Sequence, residues 1–125
     1  MKKILLVEDN DENWDMLSRR LLRRGFEVVR AADGQQAVEQ AASAGPDLIL
    51  MDVNLPIIDG LEATRRIRAA ETGPRVPIIA LTAHALTSDR DKAIAAGADD
   101  FHTKPVELPH LLEQIETLLD AVPGA

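Results

Sequence analysis

Five residues able to handle a phosphate or a metal ion stand at the ends of short apolar runs far apart along the chain. Glu8 and Asp9 follow Ile4-Leu5-Leu6-Val7, and Asp52 follows Leu48-Ile49-Leu50-Met51. Thr82 follows Pro77-Ile78-Ile79-Ala80-Leu81, and Lys104 follows Asp100-Phe101-His102-Thr103. Carboxylates with a hydroxyl and one ammonium make a hard oxygen donor set. That set suits magnesium, which takes one or two carboxylates, keeps waters and accepts a phosphate oxygen. Asp52 is the sharpest candidate, because an acid rarely ends a buried strand without a reason, and a carboxylate can act as a nucleophile. If it attacked phosphorus, magnesium held by Asp9 and helped by Glu8 would neutralise the incoming oxygens. Lys104 would offset the remaining charge, and Thr82 would donate a hydroxyl hydrogen bond. Three acids together without a cation repel one another, so either a metal binds or at least one of them has a raised pKa.

Each residue also has a structural role open to it. Glu8-Asp9-Asn10-Asp11 can cap a helix and complement its dipole, and Asp52 can cap the turn before Pro56. A lysine before a proline is often simply solvated. What favours the chemical reading is convergence, which depends on the elements that carry these residues.

Five short apolar runs alternate with five helical patterns, the signature of a parallel sheet covered by helices on both faces. Runs one, three and four are continuously apolar and suit central strands. Phe26-Glu27-Val28-Val29 and Asp100-Phe101-His102-Thr103 contain polar residues and suit edges. Right-handed crossovers then give the order 2-1-3-4-5. The helical stripes are Leu17, Leu21 and Leu22; Ala37, Val38, Ala41 and Ala42; Leu61, Thr64 and Ile67; and Leu108, Leu111, Leu112, Ile115, Leu118 and Leu119. Thr87-Ser88-Asp89 is the expected cap of a fourth helix, whose Ala93-Ile94-Ala95-Ala96 stripe is the poorest of the set. Ligands of such sheets bind beyond the carboxyl ends of the strands, where strand order reverses. All five residues are expected at that edge.

The chain has 125 residues, 46% of them hydrophobic, enough for one domain with a real core. One domain over residues 1–121 and a flexible tail at 122–125 are expected. Net charge is −7, which argues against a surface for nucleic acid or anionic lipid, so no direct DNA binding and no membrane contact are expected. There is no cysteine, which removes disulfides and thiolate chemistry. Met1-Lys2-Lys3 is not a signal peptide, because Glu8 and Asp9 interrupt the apolar run too early. A cytoplasmic protein is the expectation.

Four blocks together resemble the receiver domain of two-component response regulators, of the CheY-like kind. They are Ile4 to Asn10, Asp47 to Gly60 (DLILMDVNLPIIDG), Pro77 to Ala83, and Gly97 to Pro105 (GADDFHTKP). The resemblance implies that Asp52 accepts a phosphoryl group from the phosphohistidine of a sensor histidine kinase or a histidine phosphotransfer protein. It implies Mg2+ bound by Asp9 directly, by Glu8 largely through water, by Asp52 and by the backbone carbonyl of Asn54. Thr82 and Lys104 would sense the phosphate, Lys104-Pro105 would be a cis peptide bond, and Gly60 would be structural. Phe101 takes the place of the aromatic residue that swings inward when the threonine moves. Here it lacks the hydroxyl often found at that position.

The switch has its own physical logic. A phosphoryl group adds roughly one and a half to two negative charges and three acceptor oxygens, enough to draw Thr82 and Lys104 toward it. The fourth helix, with few buried contacts, is the element expected to move. Together with the fifth strand and the last helix it would form the face that binds a downstream target. The basic run Arg19-Arg20 and Arg23-Arg24 either docks an acidic partner or complements the helix dipole. Trp14 would serve packing or partner contact, and His84 and Asn54 would tune the access of water to the acyl phosphate.

Three alternatives stand beside this reading. A phosphohydrolase forming a phosphoaspartate generally has a second acid two residues on, where this chain has Asn54. A flavodoxin-like electron carrier would have a phosphate-cradling loop after the first strand, where this chain is acidic. The chain could also be a receiver cut from a hybrid kinase or multidomain regulator, although the start at Met1 and the short tail favour a stand-alone protein. As a receiver, it would be a signalling phosphoacceptor that assists its own phosphorylation and dephosphorylation instead of an enzyme.

Overall fold

A computed structural model describes residues 1–83 and 86–120. His84 and the tail expected at 122–125 lie outside the described residues. The elements run β1 (Lys3–Val7), α1 (Asp11–Arg23), β2 (Glu27–Ala31), α2 (Gly34–Ser43), β3 (Leu48–Asp52), α3 (Gly60–Ala70), β4 (Ile78–Thr82), α4 (Thr87–Ala96), β5 (Asp100–Thr103) and α5 (Leu108–Asp120). All pairings are parallel, and the strand order is β2-β1-β3-β4-β5, as the apolar pattern predicts.

Strand alternation sorts the core into two layers. Leu5, Val7, Ile49, Met51, Ile78 and Ala80 point to one face, where Ala37, Ala63, Ile67 and Ala93 of α2, α3 and α4 cover them. Ile4, Leu6, Leu48, Leu50, Ile79 and Leu81 point to the other, under Leu21 of α1 and Leu111, Leu112 and Ile115 of α5. Strands β1, β3 and β4 are buried on both faces and read as unbroken apolar runs for that reason.

The local signals hold with some displacements. Strand β2 begins at Glu27 instead of Phe26 and continues to Ala31, because Arg30 and Ala31 still pair with Leu6 and Val7. Leu22 is 54% exposed, since Trp14, Leu17 and Leu21 already form the inward stripe of α1 and the next position turns away. Thr87 is not a cap: it is the first residue of α4, Leu86 precedes it, and no side chain caps that end. The opposite end of α4 closes on Gly97 at φ 117°, a left-handed conformation suited to glycine. Of α4 only Ala93 and Ala96 are buried, which fits its weak stripe.

At the edge away from the strand tips, an ion network ties the end of α3 to the α4–β5 turn. The Arg68 guanidinium donates to both Glu71 carboxylate oxygens, to Asp99 at 2.8 Å and to the Gly97 and Val76 carbonyls. Arg75 adds a second bond to Asp99 at 3.0 Å. No helix among the described residues is long and apolar enough to cross a membrane.

Candidate functional site

The acids meet because their strands end at one sheet edge. Asp52 is the last residue of β3, in register with Leu81, and the Val53 amide donates to the Leu81 carbonyl at 2.9 Å. That tie holds the Asp52 carboxylate at the strand tip, where it is 2% exposed. Glu8 continues β1 by one residue, its amide donating to the Ala31 carbonyl at 3.0 Å, and it is 6% exposed. Asp9 is exposed. One oxygen from each of Glu8, Asp9 and Asp52 lies within 4.8 Å of the others.

Lys104 enters from the turn after β5. Its amide donates to the Thr82 carbonyl at 2.6 Å, and the peptide bond to Pro105 is cis. Its ammonium lies 2.8 Å from Asp52 Oδ2 and 3.8 Å from Glu8 Oε1. The other Asp52 oxygen, Oδ1, accepts the Asn54 amide at 3.0 Å. Thr82 is buried at the tip of β4, next to β3. The structure therefore brings Glu8, Asp9, Asp52, Thr82 and Lys104 to one edge, with Asn54 in the adjoining loop.

Gly60 has a geometric reason. A Cβ at that position would sit 2.1 Å from the Asp52 carbonyl oxygen and 2.8 Å from Val53 Cα, so only glycine lets α3 start against the backbone that carries Asp52. The Gly60 amide donates to the Val53 carbonyl at 2.9 Å, and Asp59 caps the helix by accepting from the Glu62 amide. Between them the loop strains: Ile57 adopts φ 68° and is 81% exposed, a conformation β-branched residues avoid.

The structural alternative for the first acidic run is realised at its second half. Asn10 caps α1 by accepting the Asn13 amide at 2.9 Å, and Asp11 and Glu12 occupy the first turn. Glu8 and Asp9 are left to the site. Burial holds the Glu8 carboxyl above its ordinary pKa of 4.5, and the nearby Asp52 charge adds to that, while the Asn10 amide and Lys104 oppose it. At least one acid of the cluster is thus raised, as three adjacent carboxylates require. Three clustered hard oxygen donors, two of them on buried residues and one with a raised pKa, fit a divalent cation, which would relieve that repulsion.

Phe101 is half-buried on β5, lining a shallow depression of about 290 Å³ with His102, Thr103, Glu107 and His110. Sequence reasoning missed what lies beside it. Buried His102 accepts the Glu107 amide at Nε2, so Nδ1 carries the proton and donates to Gln114 Oε1 at 2.7 Å. Gln114 Nε2 in turn donates to the Phe101 carbonyl at 2.9 Å. Arg30 was also missed: its guanidinium donates to the Glu8 and Asp9 carbonyls. The available signal was the period of two in β2, which puts Arg30 on the same face as Val28, toward α1. An open cleft of about 560 Å³ runs from Glu8 and Lys104 past Met16, Leu17, Arg20 and Val106.

Comparison with known proteins agrees with this geometry. The family model for the response regulator receiver domain matches residues 4–116. The hybrid signal transduction histidine kinase I of Dictyostelium discoideum is 42% identical over 93% of this chain, which spans only 7% of that kinase's length. The polar-differentiation response regulator DivK of Brucella ovis is 34% identical, covering 94% of this chain and 96% of its own. Among solved structures, the receiver domain of a Pseudomonas aeruginosa PAO1 sensor histidine kinase, with a magnesium ion coordinated in its active site cleft, superposes with a TM-score of 0.88. It is 45% identical and the match covers 96% and 98% of the two chains. The chemotaxis protein CheY4 of Vibrio cholerae gives a TM-score of 0.87 at 32% identity over 94% and 98% of the chains. With its sheet order, its acidic strand tips and a family match over most of its length, this chain belongs to the response regulator receiver domain family.

Proposed function

We propose that Asp52 is the phosphoacceptor of a two-component phosphorelay. The observation that carries this is the buried Asp52 carboxylate at a strand tip, 2.8 Å from the Lys104 ammonium and within 4.8 Å of the Glu8 and Asp9 carboxylates. The donor is the phosphohistidine of a sensor histidine kinase or histidine phosphotransfer protein. An Asp52 oxygen attacks phosphorus, the P–N bond breaks, and the imidazole leaves as neutral histidine after taking a proton from solvent. Water later cleaves the acyl phosphate and returns Asp52 and inorganic phosphate.

Mg2+ would be held by Glu8, Asp9, Asp52 and the Asn54 backbone carbonyl, and it would supply positive charge for the phosphoryl oxygens. Lys104 offsets the remaining charge, and the Thr82 hydroxyl donates to the phosphoryl group. In this sense the chain assists its own phosphorylation and dephosphorylation without being an enzyme that turns over a separate substrate. Drawing Thr82 and Lys104 inward shifts Phe101 and changes the α4–β5–α5 face, where a downstream protein docks. These roles place it in the cytoplasm, with neither DNA nor membrane as a direct partner, and residues 1–121 make up the functional unit.

A second reading has an observation behind it. Two receivers that belong to histidine kinases share 42% and 45% identity with this chain, against 34% for DivK, while a third such receiver shares 30%. The same phosphoacceptor chemistry would then serve as one station within a hybrid kinase.

Intact mass after incubation with magnesium and acetyl phosphate tests the proposal. The wild type gains one phosphoryl group and Asp52→Asn gains none. Equal addition to both proteins contradicts it.

A further inference from the structure

Arg30 lies one residue before the end of β2, and its guanidinium reaches the turn that carries two of the acids. Nε and Nη2 donate to the Glu8 carbonyl at 3.3 and 3.2 Å, and Nη2 also donates to the Asp9 carbonyl at 3.4 Å. The same nitrogen pairs with Asp11 Oδ1 at 2.8 Å, and the guanidinium carbon lies 5.4 Å from the centre of the Trp14 ring. One rigid fork thus meets the backbone of Glu8, the backbone of Asp9 and the first turn of α1 together.

We propose that Arg30 is a positioning residue for the cation site: it fixes the backbone of Glu8 and Asp9 so that their carboxylates face Asp52. The inference rests on the reading that these acids bind Mg2+. A guanidinium beside a cation site is an electrostatic burden, because on charge alone it repels the metal. Its benefit must then be geometric. Only three residues, Glu8 to Asn10, connect β1 to α1, and Asp9 and Asn10 are both exposed. The Glu8 amide is tied to β2 through Ala31, and Arg30 adds a tie from β2 to the carbonyls on either side of the Glu8–Asp9 junction. Groups that orient metal ligands from behind in this way typically change metal affinity ten- to hundredfold when removed.

Charge and geometry predict opposite signs, which makes the test decisive. Magnesium chloride is titrated into the metal-free full chain by calorimetry, with Arg30→Met and Arg30→Lys beside the wild type. Arg30→Met keeps an unbranched apolar stem but loses charge and donors, and Arg30→Lys keeps the charge but loses the fork. The expected result is a Kd about tenfold weaker for both, at the low end of that range because removal of the charge in Arg30→Met works the other way. Binding by Arg30→Met as tight as or tighter than wild type overturns the inference, and so does wild-type affinity in Arg30→Lys. A lowered metal-free melting temperature with an unchanged Kd assigns Arg30 to stability alone and also overturns it. If Arg30→Met does not fold, Arg30→Lys decides by the same criterion. A wild type that binds no magnesium contradicts the metal reading itself, and the inference falls with it.

Discussion

Replacing Lys104 by methionine isolates what a cation does among the three acids. In the metal-free protein the Lys104 ammonium is the group that pairs with the Asp52 carboxylate, at 2.8 Å, with side chains 27% and 3% exposed. Removing one partner of a fully buried pair costs about 3–5 kcal/mol, whereas exposed pairs contribute roughly 0–1 kcal/mol. Lys104 is partly open and Asp52 is not, so Lys104→Met should destabilise the metal-free protein by about 2–3 kcal/mol. In a domain of this size that lowers the melting temperature by roughly 10 °C. Asp52→Asn behaves differently. It removes one of three crowded carboxylates and frees Lys104 to move onto Glu8, now 3.8 Å away. It should therefore stay within about 1 kcal/mol of wild type or exceed it, and in the double variant it should recover most of the Lys104→Met loss. Urea unfolding in EDTA at neutral pH measures all four proteins, with equal m-values as the check on two-state behaviour. The reasoning fails if Lys104→Met costs less than about 0.5 kcal/mol, or if Asp52→Asn costs as much as Lys104→Met.

Other expectations follow from the same geometry. Burial raises the Glu8 pKa, so in the metal-free state the folded chain binds this proton more readily than the unfolded one, and the group's contribution falls as pH rises through its folded value. Metal-free Glu8→Gln should accordingly be more stable than wild type at pH 7, with the difference shrinking on acidification toward 4.5, as followed by thermal unfolding. Gly60→Ala forces a Cβ against the Asp52 carbonyl at 2.1 Å and should cost about 3 kcal/mol, the upper end of overpacking effects, in chemical denaturation. Ile57→Asn places a residue that tolerates the left-handed region at φ 68° and loses little packing, so it should stabilise by about 1 kcal/mol in the same measurement.

The site was legible where chemistry coincides with a change of pattern. An acid directly after Leu48 to Met51 announces itself because a strand buried on both faces rarely ends that way, and the edge positions of β2 and β5 showed in their polar residues. Long side chains were not legible. Arg30 reads as a polar interruption that shortens β2, yet it both completes the strand and spans the first acidic turn. His102 and Gln114 are twelve residues apart on different elements, and nothing in their spacing indicates the chain of hydrogen bonds that joins Glu107, His102, Gln114 and Phe101. Nothing in the spacing of Arg68 sets it apart from its charged neighbours on α3, yet its reach gathers Glu71, Gly97 and Asp99. Thr87 misled because a hydroxyl before a helix is a cap only when the helix starts after it.

Locating the phosphoryl group decides whether Asp52 is the phosphoacceptor. The chain is incubated with magnesium and acetyl phosphate, reduced with borohydride and mapped by peptide mass spectrometry. Reduction of an aspartyl phosphate leaves homoserine, which is expected at position 52 alone. Phosphoryl transfer to another carboxylate, with Asp52 recovered intact, would rule out Asp52 as the phosphoacceptor.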